Sequence, residues 1–495
     1  MVLRKVVMPS STPNPSSTIS PPSKQPHDYL PVSNPMPSYW LQQPHPYATL
    51  RTTPSLPTTC DIAIIGSGMA GVLTVYHILQ SCHKRALATG EPMPRVVLLD
   101  ARDLCSGATA RNGGHAKVKT ATLAGMKDGS TRTALANYVQ RVIYELKTLV
   151  EDEGLAQECE FELRRSFDVF QDREEFERVK RVYDDAVKKG EGWTKGRNVI
   201  EGKYVEGVTS IKGAVGAFTC EAASFWPYKL VTGVLEVLVR RFGGGENGGE
   251  DGVLNVQMNT PVTHLSSSPT SSQTTTTTTL HTPRGPLTTS SLIHATNAYT
   301  PSLLPCFTNT ITPYKGMNSH HTPSYRINPH LTQTYNIAFA PSSPGHATGT
   351  DYLNPRPDGT IVVGGGSWFF AHNKALWYNT VDDSISSGHF PASVYSHWTN
   401  YMADNFLGWE ESKAQPDCIW TGIQAMTPDG MPHVGRVPGA DGQWMLCGFN
   451  GGGMAIIPVV AKAVAKMVVE GKGFEDVKGE FGLLEGFKTG EERML

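Results

Sequence analysis

The stretch CDIAIIGSGMAGVLTVYHILQSC, residues 60–82, constrains the fold more than any other part of the chain. A short apolar run reads as a buried strand, a glycine-rich turn interrupts it, and helical apolar spacing follows. RVVLLDA, residues 95–101, reads as a second buried strand. Strand, helix and strand in that order form a βαβ unit, which calls for a parallel sheet with a right-handed crossover. Gly66, Gly68 and Gly71 satisfy GxGxxG in the turn. With 49 glycines in 495 residues, chance alone supplies roughly half a match to that pattern, so the flanks decide. A second match, Gly243, Gly245 and Gly248, sits in the insert GGGENGGEDG with neither flank.

In the flanked match the glycines permit a tight turn, close approach of a pyrophosphate and close helix–strand packing. Together with Ser67, Met69 and Ala70 they place the free amides of a helix N-terminus against phosphate. Asp100, followed by Ala101 and Arg102, ends the second strand and is placed to accept ribose hydroxyls. The inserted HKRALATGEPMP lengthens its usual distance from the glycines. These features specify a dinucleotide without separating NAD from FAD.

Composition narrows the class. A net charge of −2 and 18% charged residues leave no basic excess for nucleic acid or anionic membrane. MVLRKVVMPSSTPNP lacks the apolar core of a signal peptide. MAIIPVVAKAVAKMVV carries Lys462 and Lys466 and reads as an amphipathic helix, not a membrane span. Eight scattered cysteines with no CxxC suggest neither a disulfide framework nor a zinc site, and a cytoplasmic protein is expected. The SHH of residues 319–321 has no third ligand at a telling spacing, so no metal is assigned. Two low-complexity inserts, GGGENGGEDG and SSSPTSSQTTTTTT, read as solvated loops. Residues 1–57 form a Pro/Ser-rich arm whose second half carries Tyr39, Trp40 and Tyr47, enough aromatic surface to pack onto the body. Helices are expected over 131–150, 173–190 and SFWPYKLVTGVLEVLVRRFG, with a strand over VLNVQMNTPVTHL.

Four further segments, in order, carry a family resemblance: ATARNGGH (108–115), HATNAYT (294–300), WTGIQAMTPDGMPHVG (420–435) and GFNGGGM (448–454). With the βαβ unit they resemble the D-amino-acid oxidase-like FAD-dependent oxidoreductases. The resemblance is strongest to a branch with RNGG, similar to gamma-glutamylputrescine oxidoreductase-like and fungal FAD-dependent oxidoreductases. It implies FAD as cofactor and an α/β fold in which a Rossmann-like FAD domain interleaves with a mixed-sheet α+β substrate domain. The FAD domain would take 58–125, 205–300 and 415–475, the substrate domain 126–204 and 301–414, and the tail 476–495. By the same resemblance Ala110, Arg111, Asn112, Gly113 and Gly114 seat the cofactor, with Val262, Thr296 and Asn297 towards the adenine. Gly451, Gly452, Gly453 and Met454 would meet the ring. TPYKGM (312–317) resembles a family stretch in which arginine stands where this chain has Lys315, which removes the basis for a carboxylate role there.

The implied reaction is oxidation of a C–N bond in an amine or amino acid, with O2 as acceptor giving hydrogen peroxide. A flavin dehydrogenase with another acceptor and an FAD-binding protein without turnover are the alternatives. The reacting amine must be neutral, and deprotonating an amine of pKa near 10 at pH 7 costs roughly 4 kcal/mol. His115 is the candidate base, and Arg111 the candidate partner for negative charge. Cys418 reads as a free thiol, and Trp368, Phe369, Phe370 and Trp377 are left without a role.

Overall fold

The computed structural model describes residues 24–244, 252–269, 276–340, 349–387 and 392–494. The βαβ unit forms as read: β1 (Thr59–Ile65), α1 (Met69–Thr89) and β2 (Val96–Leu99), the two strands pairing in parallel. Burial on both faces explains the near-continuous apolar spelling of both strands. α1 ends at Gly90, whose left-handed φ of 76° suits glycine. It buries Val72, Leu73, Ile78 and Leu79 against helices Pro227–Phe242 and Ile457–Glu470.

The main path of the first sheet runs His433–Arg436, Gln443–Cys447, Gly285–His294, β1, β2, Leu254–Gln257. The second, nine-stranded sheet runs Gln415–Met426, Thr312–Thr322, Ile361–Gly364, Thr350–Pro355, Thr334–Ala338, Glu162–Phe170, Gly216–Ser224, His115–Ala116, with Asn198–Ile200 beside Gly216–Ser224. Strand alternation divides its side chains. Val169, Met317, Ile337, Leu353 and Val363 enter an apolar cluster, whereas Tyr314, Asn318, Tyr352, Asn354 and Gln424 occupy the alternate positions.

Several sequence expectations shift. Strands Gly216–Ser224 and Gln415–Met426 pair in the second sheet, so the blocks drawn at 205–300 and 415–475 each contain a strand of the other sheet. An apolar run carries no information about which sheet it will join. The strand expected through VLNVQMNTPVTHL stops at Gln257, where Asn259 turns to a positive φ of 52°. The Ser/Thr-rich insert is not wholly loop: His264–Pro269 and Thr276–Thr282 pair as an antiparallel hairpin, supported by Leu265 opposite Leu280 and by the β preference of threonine. Residues 270–275 of that insert, residues 245–251 with most of the second glycine match, and residues 1–23 of the arm lie outside the described residues. The tail packs tightly, with Leu483, Leu484 and Phe487 buried. Among the described residues no helix is long and apolar enough to cross a membrane.

Three histidines are built into this core as neutral rings. His294 bonds Gln443, His433 bonds Thr489 and His321 bonds Ser319, each at 2.9 Å. Burial pushes their pKa values down, to about 4 for His294 and about 3 for His433 and His321. An unfolded chain titrates near 6.5, so between that value and the folded values only the unfolded state takes the proton. Stability is therefore lost as pH falls below about 6.5. At pH 5.5 each ring costs about 1.4 kcal/mol and the three together about 4 kcal/mol. Urea midpoints measured at pH 7.5 and pH 5.5 check this; equal midpoints contradict it.

Candidate active site

The glycine turn is held by backbone contact that admits no side chain. A Cβ on Gly71 would lie 1.7 Å from the Gly66 carbonyl oxygen, and one on Gly66 (φ +108°) 2.5 Å from that of Ala295. Gly68 is different: its nearest neighbour would be Thr109 Oγ1 at 3.1 Å. The Ser67 amide and hydroxyl both donate to Asp100 Oδ2 at 2.7 Å, and the Arg102 amide to Oδ1 at 2.9 Å. The second strand thus anchors the turn through Asp100. A carboxylate offers about four acceptor sites, so Asp100 keeps capacity for a ligand hydroxyl.

This turn opens onto a cavity enclosing about 1170 Å³, counted out to its mouth. Of the residues expected at the cofactor, Gly66, Gly68, Met69, Ala70, Asp100, Ala101, Arg102, Asn112, Val262, Thr296, Asn297, Gly451, Gly453 and Met454 form its wall. Ser67, Gly71, Ala110, Arg111, Gly113, Gly114, Gly452 and His115 do not. Residues the sequence did not single out complete it, notably Leu30, Pro31, Thr109, Tyr299 and Gln424. Gln424 lies inside the segment WTGIQAMTPDGMPHVG, but only the fold singles it out: it stands opposite Tyr314 across paired strands, and the Tyr314 hydroxyl donates to its Oε1. Both approach the cofactor turn, since a Cβ on Gly451 (φ +74°) would lie 2.7 Å from the Tyr314 oxygen and 2.8 Å from Gln424 Oε1.

The RNGG segment is built differently from expectation. Arg111 does not reach the cavity. Its Nε donates to the Ser106 carbonyl at 2.9 Å, and its Nη1 to those of Met36 at 2.7 Å and Thr421 at 2.9 Å. Burial lowers its pKa, opposed by Asp383, whose carboxylate lies 3.7 Å away. Asn112 braces the turn, donating to Thr109 at 2.8 Å and accepting from the Gly114 amide at 2.8 Å. Packing within the protein already requires both glycines. A Cβ on Gly113 would enter the Tyr352 ring at 2.4 Å, and one on Gly114 (φ +67°) would meet the Phe225 carbonyl at 2.6 Å and the Trp40 indole at 2.9 Å.

His115 begins the edge strand opposite Ser224 and meets Tyr352 edge-on at 5.3 Å. Burial, reinforced by Lys117, holds it well below the usual imidazole range, so the ring is neutral. Its Nδ1 is buried and has no hydrogen-bond partner among the described residues. Lys315 is buried, its pKa lowered by burial, with Asp382 and Asp383 as the opposing charges. Such acidic company explains how a lysine is tolerated there. Cys418 is a free thiol, raised to about 11 by burial. Phe370 belongs to the second core and Trp368 stacks on Phe369 at 4.0 Å; none of the four aromatics left open lines the cavity.

These walls suit FAD. Amides at the start of α1 and the glycine Gly68 leave room and donors for a diphosphate. Asp100 supplies acceptors for ribose, while Gly451, Gly453, Ile423 and Ile457 offer close, apolar surfaces for a flat ring system.

Comparison with known proteins agrees. Residues 61–467 match the family model described as FAD dependent oxidoreductase. A glycine oxidase of Pseudomonas aeruginosa is 32% identical over 117 residues, 24% of this chain and 28% of that protein, so the match spans under a third of the relative. Among solved structures, an L-amino acid deaminase from Proteus vulgaris superposes with a TM-score of 0.61 at 15% identity, covering 90% of this chain and 98% of that one. The L-proline dehydrogenase from P. horikoshii gives 0.60 at 18% identity, covering 86% and 96%. At these identities the two structures speak to fold. The family model spans most of the chain, over the βαβ unit and the turn at Gly451: this protein belongs to the FAD dependent oxidoreductases, with FAD as its cofactor.

Proposed function

We propose that the protein oxidises a C–N bond of an amine or amino acid, passing the electrons to O2, and that it belongs to the RNGG branch of its family. The observation that carries this reading is the junction of the cavity with the polar side of the nine-stranded sheet. There Gln424 forms cavity wall, Tyr314 meets Gly451, and Tyr352 meets Gly113 just outside that wall. That arrangement gives a substrate hydrogen-bonding groups on one side and the cofactor on the other. Bound FAD supplies the acceptor for the two electrons. The chain supplies orientation through Tyr314, Gln424 and Tyr352, and a low-polarity enclosure that favours a neutral amine.

Arg111 acts here as a positioning residue, fixing the turn from beneath. His115 is proposed to accept a hydrogen bond from the neutral amine's N–H at its unpartnered Nδ1, without taking up the proton. Because that ring stays neutral through the working range, the ionisation that limits capture is the substrate's own. We expect kcat/KM to climb with pH up to the amine's pKa. His115→Asn should lower kcat/KM about a hundredfold with flavin absorbance unchanged; full activity in the variant removes His115 from the mechanism.

Oxidase and dehydrogenase are separated by the acceptor, and the relatives include a glycine oxidase and a proline dehydrogenase. Anaerobic mixing with a panel of amines and D- and L-amino acids should bleach the flavin, and admitted air should restore it with stoichiometric peroxide. Bleaching that air does not reverse selects the dehydrogenase. A flavin that no amine or amino acid bleaches refutes the amine-oxidation reading.

A further inference from the structure

The N-terminal arm touches the cofactor site at more points than any decorative extension requires. Its short helix Pro26–Tyr29 packs on Asn297–Ser302, the turn that carries cavity residues Asn297, Tyr299 and Ser302, and Tyr29 is buried. Leu30 and Pro31 then form cavity wall. Next the chain meets the second sheet's loop, the Met36 amide donating to the Asp383 carbonyl at 2.7 Å. It continues onto the RNGG turn itself. Ser38 Oγ donates to the Ala110 carbonyl at 2.6 Å, and Trp40 Nε1 to the Asn112 carbonyl at 2.6 Å. The Met36 carbonyl accepts from Arg111 at 2.7 Å. Tyr39 stacks on His320 at 3.8 Å, and the Trp40 carbonyl accepts from Trp226 at 3.0 Å.

We infer that Ser38 and Trp40 are positioning residues for the cofactor, holding the turn 108–114 in shape from outside, and that arm docking and FAD binding are one coupled event. Three features support this. The Ala110 and Asn112 carbonyls are tied by arm side chains across the chain, and a buried carbonyl deprived of its donor is costly. Gly114 is pinned between Trp40 and the Phe225 carbonyl, so the indole also sets the backbone path. Leu30 and Pro31 share the cavity wall with Asp100, Arg102 and Tyr299, so the same segment touches the side where ribose acceptors stand. Ser38 and Trp40 act through the turn and need not touch FAD. By linkage, whatever the arm adds to FAD affinity, FAD must add to arm docking.

This inference rests on the cavity described above being the FAD site, and the test keeps the two apart. Apo-protein is titrated with FAD, following quenching of flavin fluorescence, in wild type, Ser38→Ala, Ser38→Thr, Trp40→Phe and Gly71→Val. Trp40→Phe removes the donor together with the benzo edge that faces Gly114, so Ser38→Ala, which removes a donor without a ring, is read beside it. Expected is a roughly tenfold weaker Kd for Ser38→Ala and for Trp40→Phe, near-normal binding for Ser38→Thr, and faster hydrogen exchange of the Met36 amide when FAD is withheld. Unchanged affinity in both Ser38→Ala and Trp40→Phe, or Met36 exchange indifferent to FAD, overturns the coupling. Loss of binding in Gly71→Val beside normal arm variants overturns the arm alone. Full binding in Gly71→Val overturns the cavity assignment with it.

Discussion

Gly71→Val should give a colourless protein, with FAD affinity lowered at least a hundredfold, about 3 kcal/mol. The Cβ of any residue at this position would stand 1.7 Å from the Gly66 carbonyl oxygen and 2.9 Å from its carbon. Both partners are backbone, so no rotamer relieves the clash; α1 must move away from the turn, or the turn must open. Either movement carries the helix N-terminus away from the place where a diphosphate would sit. Gly68→Val is the informative contrast. Its side chain meets only Thr109 Oγ1 at 3.1 Å and otherwise faces the cavity, so the fold should survive while the ligand's room shrinks. The flavin-to-protein absorbance ratio and the melting temperature of each variant separate the two cases. A fully yellow Gly71→Val with unchanged melting temperature contradicts the packing role.

The two glycine motifs show what a sequence carries. β1, α1 and β2 were legible because each is specified locally, by apolar period and a glycine turn. The cavity wall around Gly66 and Asp100 followed from that grammar, whereas Gly451 was implied by the family resemblance. RNGG was legible as a place but not as a set of roles. Its glycines fit a cofactor's approach or a neighbouring ring equally well, and Tyr352 and Trp40, against which they pack, lie 239 and 74 residues from Gly113 and Gly114. Arg111 misled for the same reason. A guanidinium in a glycine-rich turn advertises anion binding, yet its partners here are the carbonyl of nearby Ser106, backbone carbonyls from two distant segments and a carboxylate from a third. The Thr-rich hairpin went unread because low complexity hides period, and only the pairing of Leu265 with Leu280 reveals a face. Sheet membership of Gly216–Ser224 and Gln415–Met426 was invisible, being settled by long-range pairing alone.

Asp383→Asn should destabilise the protein by roughly 3–5 kcal/mol. The Asp383 side chain is fully buried, 3.1 Å and 3.3 Å from Arg102 Nη1 and 3.7 Å from Arg111 Nε. It is the carboxylate shared by two guanidiniums that are themselves nearly out of water. Asparagine preserves shape and hydrogen-bonding capacity but leaves that positive charge uncompensated in a low-dielectric interior, where desolvation is already charged against both arginines. Three parts of the molecule meet at this point: Arg102 on the cavity wall, Arg111 under the RNGG turn, and the arm, whose Met36 amide the Asp383 carbonyl accepts. Loosening should therefore propagate to the cofactor, and FAD should be held less tightly as well as the fold. Glu151→Gln sets the scale. Its partner Lys147 lies closer, at 2.6 Å, but the pair is exposed on a helix surface and its loss should cost under about 0.5 kcal/mol. Equal urea midpoints for the two variants would mean that solvent reaches Asp383 and that the cluster is screened. A large gap between them means that burial, not separation, sets the worth of an ion pair here.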